Sequence, residues 1–113
     1  VLAMMISDKK VEHALQILTD PQHEAAKARA ASEHMDDLTK TVLAKLMMQS
    51  EEKSAAAKEM AARADPAYQA HLEQVKLIKE VDYTWRDRRS AAAAIIEMWR
   101  TEQSNIRAAE RVR

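Results

Sequence analysis

The chain has 113 residues, contains neither cysteine nor glycine, and balances 18 basic against 18 acidic side chains. This length predicts one domain, and the missing cysteines exclude a disulfide framework and a thiolate metal site. Zero net charge means that nucleic-acid binding can be inferred only from local charge. The first six residues are apolar but too few for a signal peptide or a membrane span. We therefore expect a soluble, cytoplasmic protein with no membrane partner.

Strong helix formers dominate the sequence, and only two prolines interrupt them. This composition predicts an all-α fold. A first helix is predicted over residues 8–19, with Ser7 as its N-cap. Val11, Leu15 and Leu18 recur at helical spacing and would lie on one face of this helix.

Asp20 and Pro21 form the next helix-start signal, because an N-cap residue is followed by proline at the first helical position. A second helix is predicted over residues 21–49. Its apolar stripe includes Ala31 and Met35, and its members recur every three or four residues, as in a coiled coil or helical bundle.

A polar stretch follows, and residues 54–64 are predicted to form a short, alanine-rich helix. Nothing in the composition forbids one continuous helix over 21–64, so both possibilities stay open. Asp65 and Pro66 repeat the helix-start signal, and the last helix is predicted over residues 66–111. At 1.5 Å per residue it would be about 65–70 Å long.

An apolar stripe runs along this last helix with alternating steps of three and four residues. The second helix is too short to cover it, so we expect the stripe to hold subunits together. The predicted fold is a long antiparallel helical hairpin with short accessory helices, bundle-like and homo-oligomeric. The predicted interface residues are Tyr68, Leu72, Val75, Ile78, Trp85, Ile96 and Trp99.

No catalytic, metal-binding or cofactor-binding pattern is present in the sequence. The segment His23-Glu24-Ala25-Ala26-Lys27 looks like a zinc-protease motif, but Lys27 stands where the second histidine ligand would be. The carboxylates mostly have basic neighbours at helical spacing, which is typical of solvated faces. We expect a protein that is not an enzyme and that needs neither a metal nor a cofactor.

Seven of the nine arginines lie at or after residue 86. Arginine binds phosphates with two parallel hydrogen bonds, and tryptophan can stack on a base. Alternatively, Trp85 and Trp99 fill a helical core, and the arginines pair with nearby carboxylates or with the helix dipole. The predicted nucleic-acid-binding residues are Arg86, Arg88, Arg89, Arg100, Arg107 and Arg111.

Two segments, DPAYQAHL (65–72) and IIEMWRTEQSNIR (95–107), resemble small helical proteins that tailed phages and prophages encode in recombination gene clusters. The layout is similar to that of the UvsY-type recombination mediators. The resemblance extends over about residues 30–110 and is carried by Tyr68, Leu72, Ile96, Trp99 and Arg100.

The resemblance implies an all-helical ring of subunits that binds single-stranded DNA and helps to load a recombinase onto DNA covered by single-strand binding protein. It implies a non-enzymatic accessory factor of phage DNA recombination or replication, acting in the bacterial host cytoplasm. Single-stranded DNA and a recombinase or single-strand binding protein would be its partners. The alternative is a helical protein–protein interaction module, a scaffold or an inhibitor, with no nucleic-acid contact.

Overall fold

The computed structural model of the protein describes residues 5–112, and this part of the chain contains helices and no strand. The all-α prediction is confirmed for these residues. A polar break separates the second and third helices, so residues 21–64 do not form one continuous helix. The helices are α1 (Asp8–Thr19), α2 (Glu24–Gln49), α3 (Ala55–Ala64) and α4 (Pro66–Val112).

Two compact units make up the chain. Within the described residues, the first unit comprises residues 5–25 and 84–112, and the second comprises Ala26–Tyr83. Within residues 5–112, no helix is long and apolar enough to cross a membrane.

Side chains cap the start of three helices. The hydroxyls of Ser7 and Ser54 accept hydrogen bonds from backbone N–H groups in the first turns of α1 and α3. The carboxylate of Asp65 accepts the N–H of Ala67 at 2.8 Å, and α4 begins at Pro66. These bonds occupy donors that a helix start otherwise leaves open.

The start of α2 differs from the prediction. It begins at Glu24 rather than at Pro21, because Asp20 takes a left-handed conformation (φ 48°) that ends α1. His23 is also left-handed, with φ 57°. A turn therefore occupies the predicted helix start, and the carboxylate of Asp20 instead reaches the N–H of Ala25 at 3.2 Å.

Small side chains form the core of the first unit. Ala14 of α1 is 1% exposed, Ala92 of α4 is 2% exposed, and Val11 is also buried. Alanines at such positions let helix backbones approach closely. The N–H of Ile6 donates to both carboxylate oxygens of Glu102, at 3.1 and 2.9 Å, and so ties the start of α1 to α4.

The second unit buries polar groups together with apolar ones. Ser32 is 3% exposed, whereas Ala31, which the predicted stripe of α2 includes, is exposed. Polar groups are stable in such positions only when they are hydrogen-bonded. The buried residues of this unit are Ala28, Ser32, Met35, Ala62, Tyr68 and Asp82.

Lys79 links α4 to α2 inside the second unit. Its ammonium group donates to the hydroxyl of Ser32 at 3.3 Å and lies 3.0 Å from a carboxylate oxygen of Asp36. The hydrogen bond to Asp36 raises the pKa of Lys79 above its ordinary value of 10.5. The folded state therefore favours the charged lysine.

A second link joins Thr39 of α2 to His71 of α4. The Thr39 hydroxyl donates to the carbonyl of Met35 at 2.7 Å, and its oxygen lies 2.7 Å from Nε2 of His71. Which of these two groups donates is set by the tautomer of His71. Neither polar link is predicted by the periodicity of the sequence.

The chain itself covers most of the apolar stripe of α4. Tyr68 is buried, and Val75, Ile78, Trp85, Ile96 and Trp99 are half-buried, whereas Leu72 is 36% exposed. The homo-oligomer interface that was expected on these residues stays a prediction.

We expect overpacking when Ala92 is replaced by leucine. Ala92→Leu inserts a larger side chain into a buried alanine position, so the free energy of unfolding should fall by about 1–3 kcal/mol. Urea denaturation followed by circular dichroism measures it. Ala93 is exposed in the same helix turn, and Ala93→Leu should change stability by less than about 0.5 kcal/mol. Equal effects of the two substitutions would contradict close packing at Ala92.

The raised pKa of Lys79 predicts a pH dependence of stability. A group whose pKa rises on folding stabilises the fold below its unfolded value and loses that contribution as pH rises through the folded value. The melting temperature should therefore fall more steeply between pH 9 and pH 12 for the unaltered chain than for Lys79→Met. Lys76→Met removes an exposed lysine of the same helix and should keep the original slope. If the melting temperatures of all three proteins fall in parallel with pH, the contact between Lys79 and Asp36 does not contribute to stability.

Candidate nucleic-acid interface

The predicted arginines all lie on the part of α4 that belongs to the first unit. A helix turns about 100° per residue, and five of the six then fall within a sector of about 60°. This arginine face consists of Arg86, Arg89, Arg100, Arg107 and Arg111. Between its first and last members it is about 37 Å long, at 1.5 Å per residue.

No carboxylate of residues 84–112 falls within this sector. The same helical geometry places only Ala93 and Ser104 between the arginines, and Glu97 lies about 20° outside the edge. The acidic side chains of this part of α4 therefore lie beside or opposite the arginine face. Local positive charge exists although the chain as a whole is neutral.

Arg89 forms hydrogen bonds to the end of α1 within the first unit. Its guanidinium donates to the carbonyls of Ile17 and Leu18, at 3.1 and 3.2 Å. Both carbonyls belong to the last turn of α1, where a helix leaves acceptors unpaired and its dipole favours a positive charge. Arg89 is half-buried and acts as a cap for α1.

Arg88 lies at least about 100° around the helix from the arginine face. Its guanidinium carbon is 5.2 Å from the ring centre of Trp85, which is a cation–π contact. Trp85 is half-buried, so its ring is partly covered by the fold and partly by Arg88. This arrangement leaves less of the ring available to stack on a base.

The other members of the arginine face are exposed. Arg100 pairs with Glu97 at 3.0 Å, and both side chains are more than 60% exposed. Such surface pairs contribute little free energy, so a phosphate could replace the carboxylate. Arg86 has an interaction within the described chain, whereas Arg107 and Arg111 form no ion pair with residues 5–112.

The described residues hold no arrangement suited to a metal. Among residues 5–112, no group of three or more histidine, aspartate or glutamate side chains is placed to share an ion. Lys9, Lys10 and His13 of α1 are not among the site residues predicted from the sequence. Their spacing of three and four residues on α1 was the available signal, and the structure places them beside one groove of the first unit.

Comparison of the chain with protein-family models, with curated proteins and with solved structures found no match.

The cap formed by Arg89 predicts a difference between two adjacent arginines. Arg89→Ala removes two charge-assisted hydrogen bonds to α1, and we expect the free energy of unfolding to fall by about 1–2 kcal/mol. Arg88→Ala removes an exposed cation–π contact worth about 0.5–1 kcal/mol. Chemical denaturation of both variants measures the difference, and a larger loss for Arg88→Ala would contradict the capping role.

Proposed function

We propose that this protein is a non-enzymatic accessory factor that binds single-stranded DNA through the arginine face of α4. The observation that supports this proposal is a row of arginines along one side of a regular helix, with no acidic residue inside their sector and with Glu97 at its edge paired to Arg100. Arginine is the preferred residue for phosphate, because its planar fork donates two hydrogen bonds at once.

The exposed arginines of this face are the proposed contacts. Arg100, Arg107 and Arg111 span about 16 Å of helix and are the main candidates, and Arg86 extends the row. Arg89 contributes positive charge while it caps α1. Arg88 points away from this row and is a contact of Trp85. The proposal therefore narrows the six arginines of the sequence prediction to four.

Each subunit would bind DNA weakly. Three or four phosphate contacts produce a modest, salt-sensitive affinity, and the neutral net charge provides no long-range attraction. Several subunits on one strand would bind more tightly through multivalency. A homo-oligomer is therefore part of the proposal.

One observation supports the predicted helical hairpin, and another supports the assembled form. The contact pairs Thr39–His71 and Asp36–Lys79 run in opposite directions along α2 and α4, which supports an antiparallel arrangement of these helices in the second unit. Apolar side chains also remain exposed on α4, which supports contacts between subunits. They include Leu72, Leu77 and Val81, at 36%, 55% and 52% exposure.

The resemblance to phage recombination mediators adds a biological setting to this proposal. In that setting the protein would act in a bacterial cytoplasm, with a recombinase or a single-strand binding protein as its partner. The second candidate function is a scaffold or inhibitor that binds proteins only. The exposed apolar side chains support this alternative, and the two functions differ in whether DNA is bound.

Fluorescence anisotropy of a labelled oligo(dT) strand tests the main proposal. Binding should be measurable at about 50 mM salt and should weaken strongly by about 200 mM. Combined replacement of Arg100, Arg107 and Arg111 by alanine removes three phosphate contacts. The slope of log affinity against log salt should then become shallower by about two units.

A matched variant replaces three lysines that are exposed in the second unit, Lys40, Lys45 and Lys53, by alanine. This variant should keep most of the affinity for oligo(dT). Equal losses in both triple variants would contradict a specific role of the arginine face. No binding by the unaltered chain would favour the protein-only alternative. Light scattering on the same samples measures subunit number, and a monomer at every concentration would contradict the oligomer.

A further inference from the structure

A groove of about 490 Å³ lies in the first unit, between the start of α1 and the middle of α4. This volume is within the range of pockets that hold ligands in proteins. Six residues line the groove: Ile6, Lys9, Lys10, His13, Ile95 and Met98.

The walls of the groove belong to helices that are tied together. The two hydrogen bonds from the N–H of Ile6 to Glu102 hold one end. The buried Ala14 and Ala92 belong to the core of the same unit. Little ordering is therefore needed when a partner binds, which favours affinity.

The lining combines two kinds of side chain. Ile6, Ile95 and Met98 form an apolar floor, and Met98 remains 47% exposed. Lys9, Lys10 and His13 are exposed and basic, and none of the six lining residues is acidic. Water is displaced favourably from such a floor, while the rim attracts negative charge.

We propose that this groove is a docking site for an acidic amphipathic helix of a partner protein. The partner helix would insert two apolar side chains, three or four residues apart, between Ile95 and Met98. Aspartate or glutamate side chains beside them would pair with Lys9 and Lys10. An amphipathic helix laid into an apolar groove is a common mode of peptide recognition.

The dimensions of the groove favour a helix over a nucleic acid. Its lining residues on α1 extend from Lys9 to His13, about 6 Å or one helical turn, and Ile6 lies just before this helix. No aromatic side chain lines it, so bases would have nothing to stack on. The flexible thioether of Met98 can adapt to different apolar partners.

This inference goes beyond DNA binding and uses none of the arginine face. Helical geometry places Ile95 and Met98 at least about 120° around α4 from Arg107. A helix bound in the groove and a strand bound on the arginine face could therefore be present together. Failure of one proposal would leave the other intact.

Selection from a displayed library of random peptides of about 15 residues tests the proposal. We expect enrichment of peptides that carry paired apolar residues at helical spacing, flanked by aspartate or glutamate. A fluorescein-labelled consensus peptide would then be titrated with the full chain. Affinity should fall at least about tenfold for Lys9→Glu with Lys10→Glu, because the charge pairs become repulsive. Met98→Glu should cause a similar loss.

Control variants carry the same substitutions on other exposed residues: Lys40→Glu with Lys45→Glu, and Met48→Glu. These should keep the affinity for the peptide, and circular dichroism should show that every variant is folded. Oligo(dT) binding should survive in Met98→Glu, which separates this test from that of the arginine face. The proposal is overturned if the selected peptides lack acidic residues or if the groove variants bind them unchanged. Binding of dodecanoate in the groove without any peptide enrichment would overturn it as well.

Discussion

The unbroken helicity of α4 is the constraint on which the rest of the structure depends. Its 47 residues contain no proline after the first position and no glycine, so the helix has no built-in point at which to end or bend. Average helices have about 12 residues. A helix of this length carries an apolar stripe that one ordinary neighbour cannot cover. In the first unit α1 and the preceding Ile6 contact α4 through Arg89 and Glu102. In the second unit α2 contacts it through His71 and Lys79.

Local signals in the sequence were sufficient to predict the helices. They were not sufficient to predict contacts between residues that are distant along the chain. Ser7, Ser54 and Asp65 act on groups two or three residues away, so their capping roles are visible in the sequence. The pairing of α1 with α4 depends on contacts such as Ile6 with Glu102, which no periodicity reveals. Asp20 misled the prediction of where α2 begins, because its left-handed backbone ends α1 and a turn separates it from Glu24, although its carboxylate still reaches the N–H of Ala25.

For the arginines, too, some features can be predicted from the sequence and others depend on contacts in the folded chain. Counting residues identifies a cluster around Arg88 and Arg89, but cannot show that one contacts Trp85 and the other caps α1. The positions of the remaining arginines around the helix follow from helical geometry, because residues 7 or 14 positions apart lie on nearly the same side. Arg86, Arg100 and Arg107 follow this spacing, so the arginine face could have been found from the sequence. The hydrogen bonds from Arg89 to the end of α1 could not be predicted from the sequence.

The contacts of α1 also impose an order on folding. Ile6 meets a residue 96 positions later in the chain, and Ile17 and Leu18 meet one that follows 71 or 72 positions later. Ribosomes add about 5–20 residues per second, so α1 waits roughly 4–20 s for its partner after it is made. The contacts within Ala26–Tyr83 close shorter loops and can form earlier. During that interval Val11 and the other apolar side chains of α1 are not covered by α4.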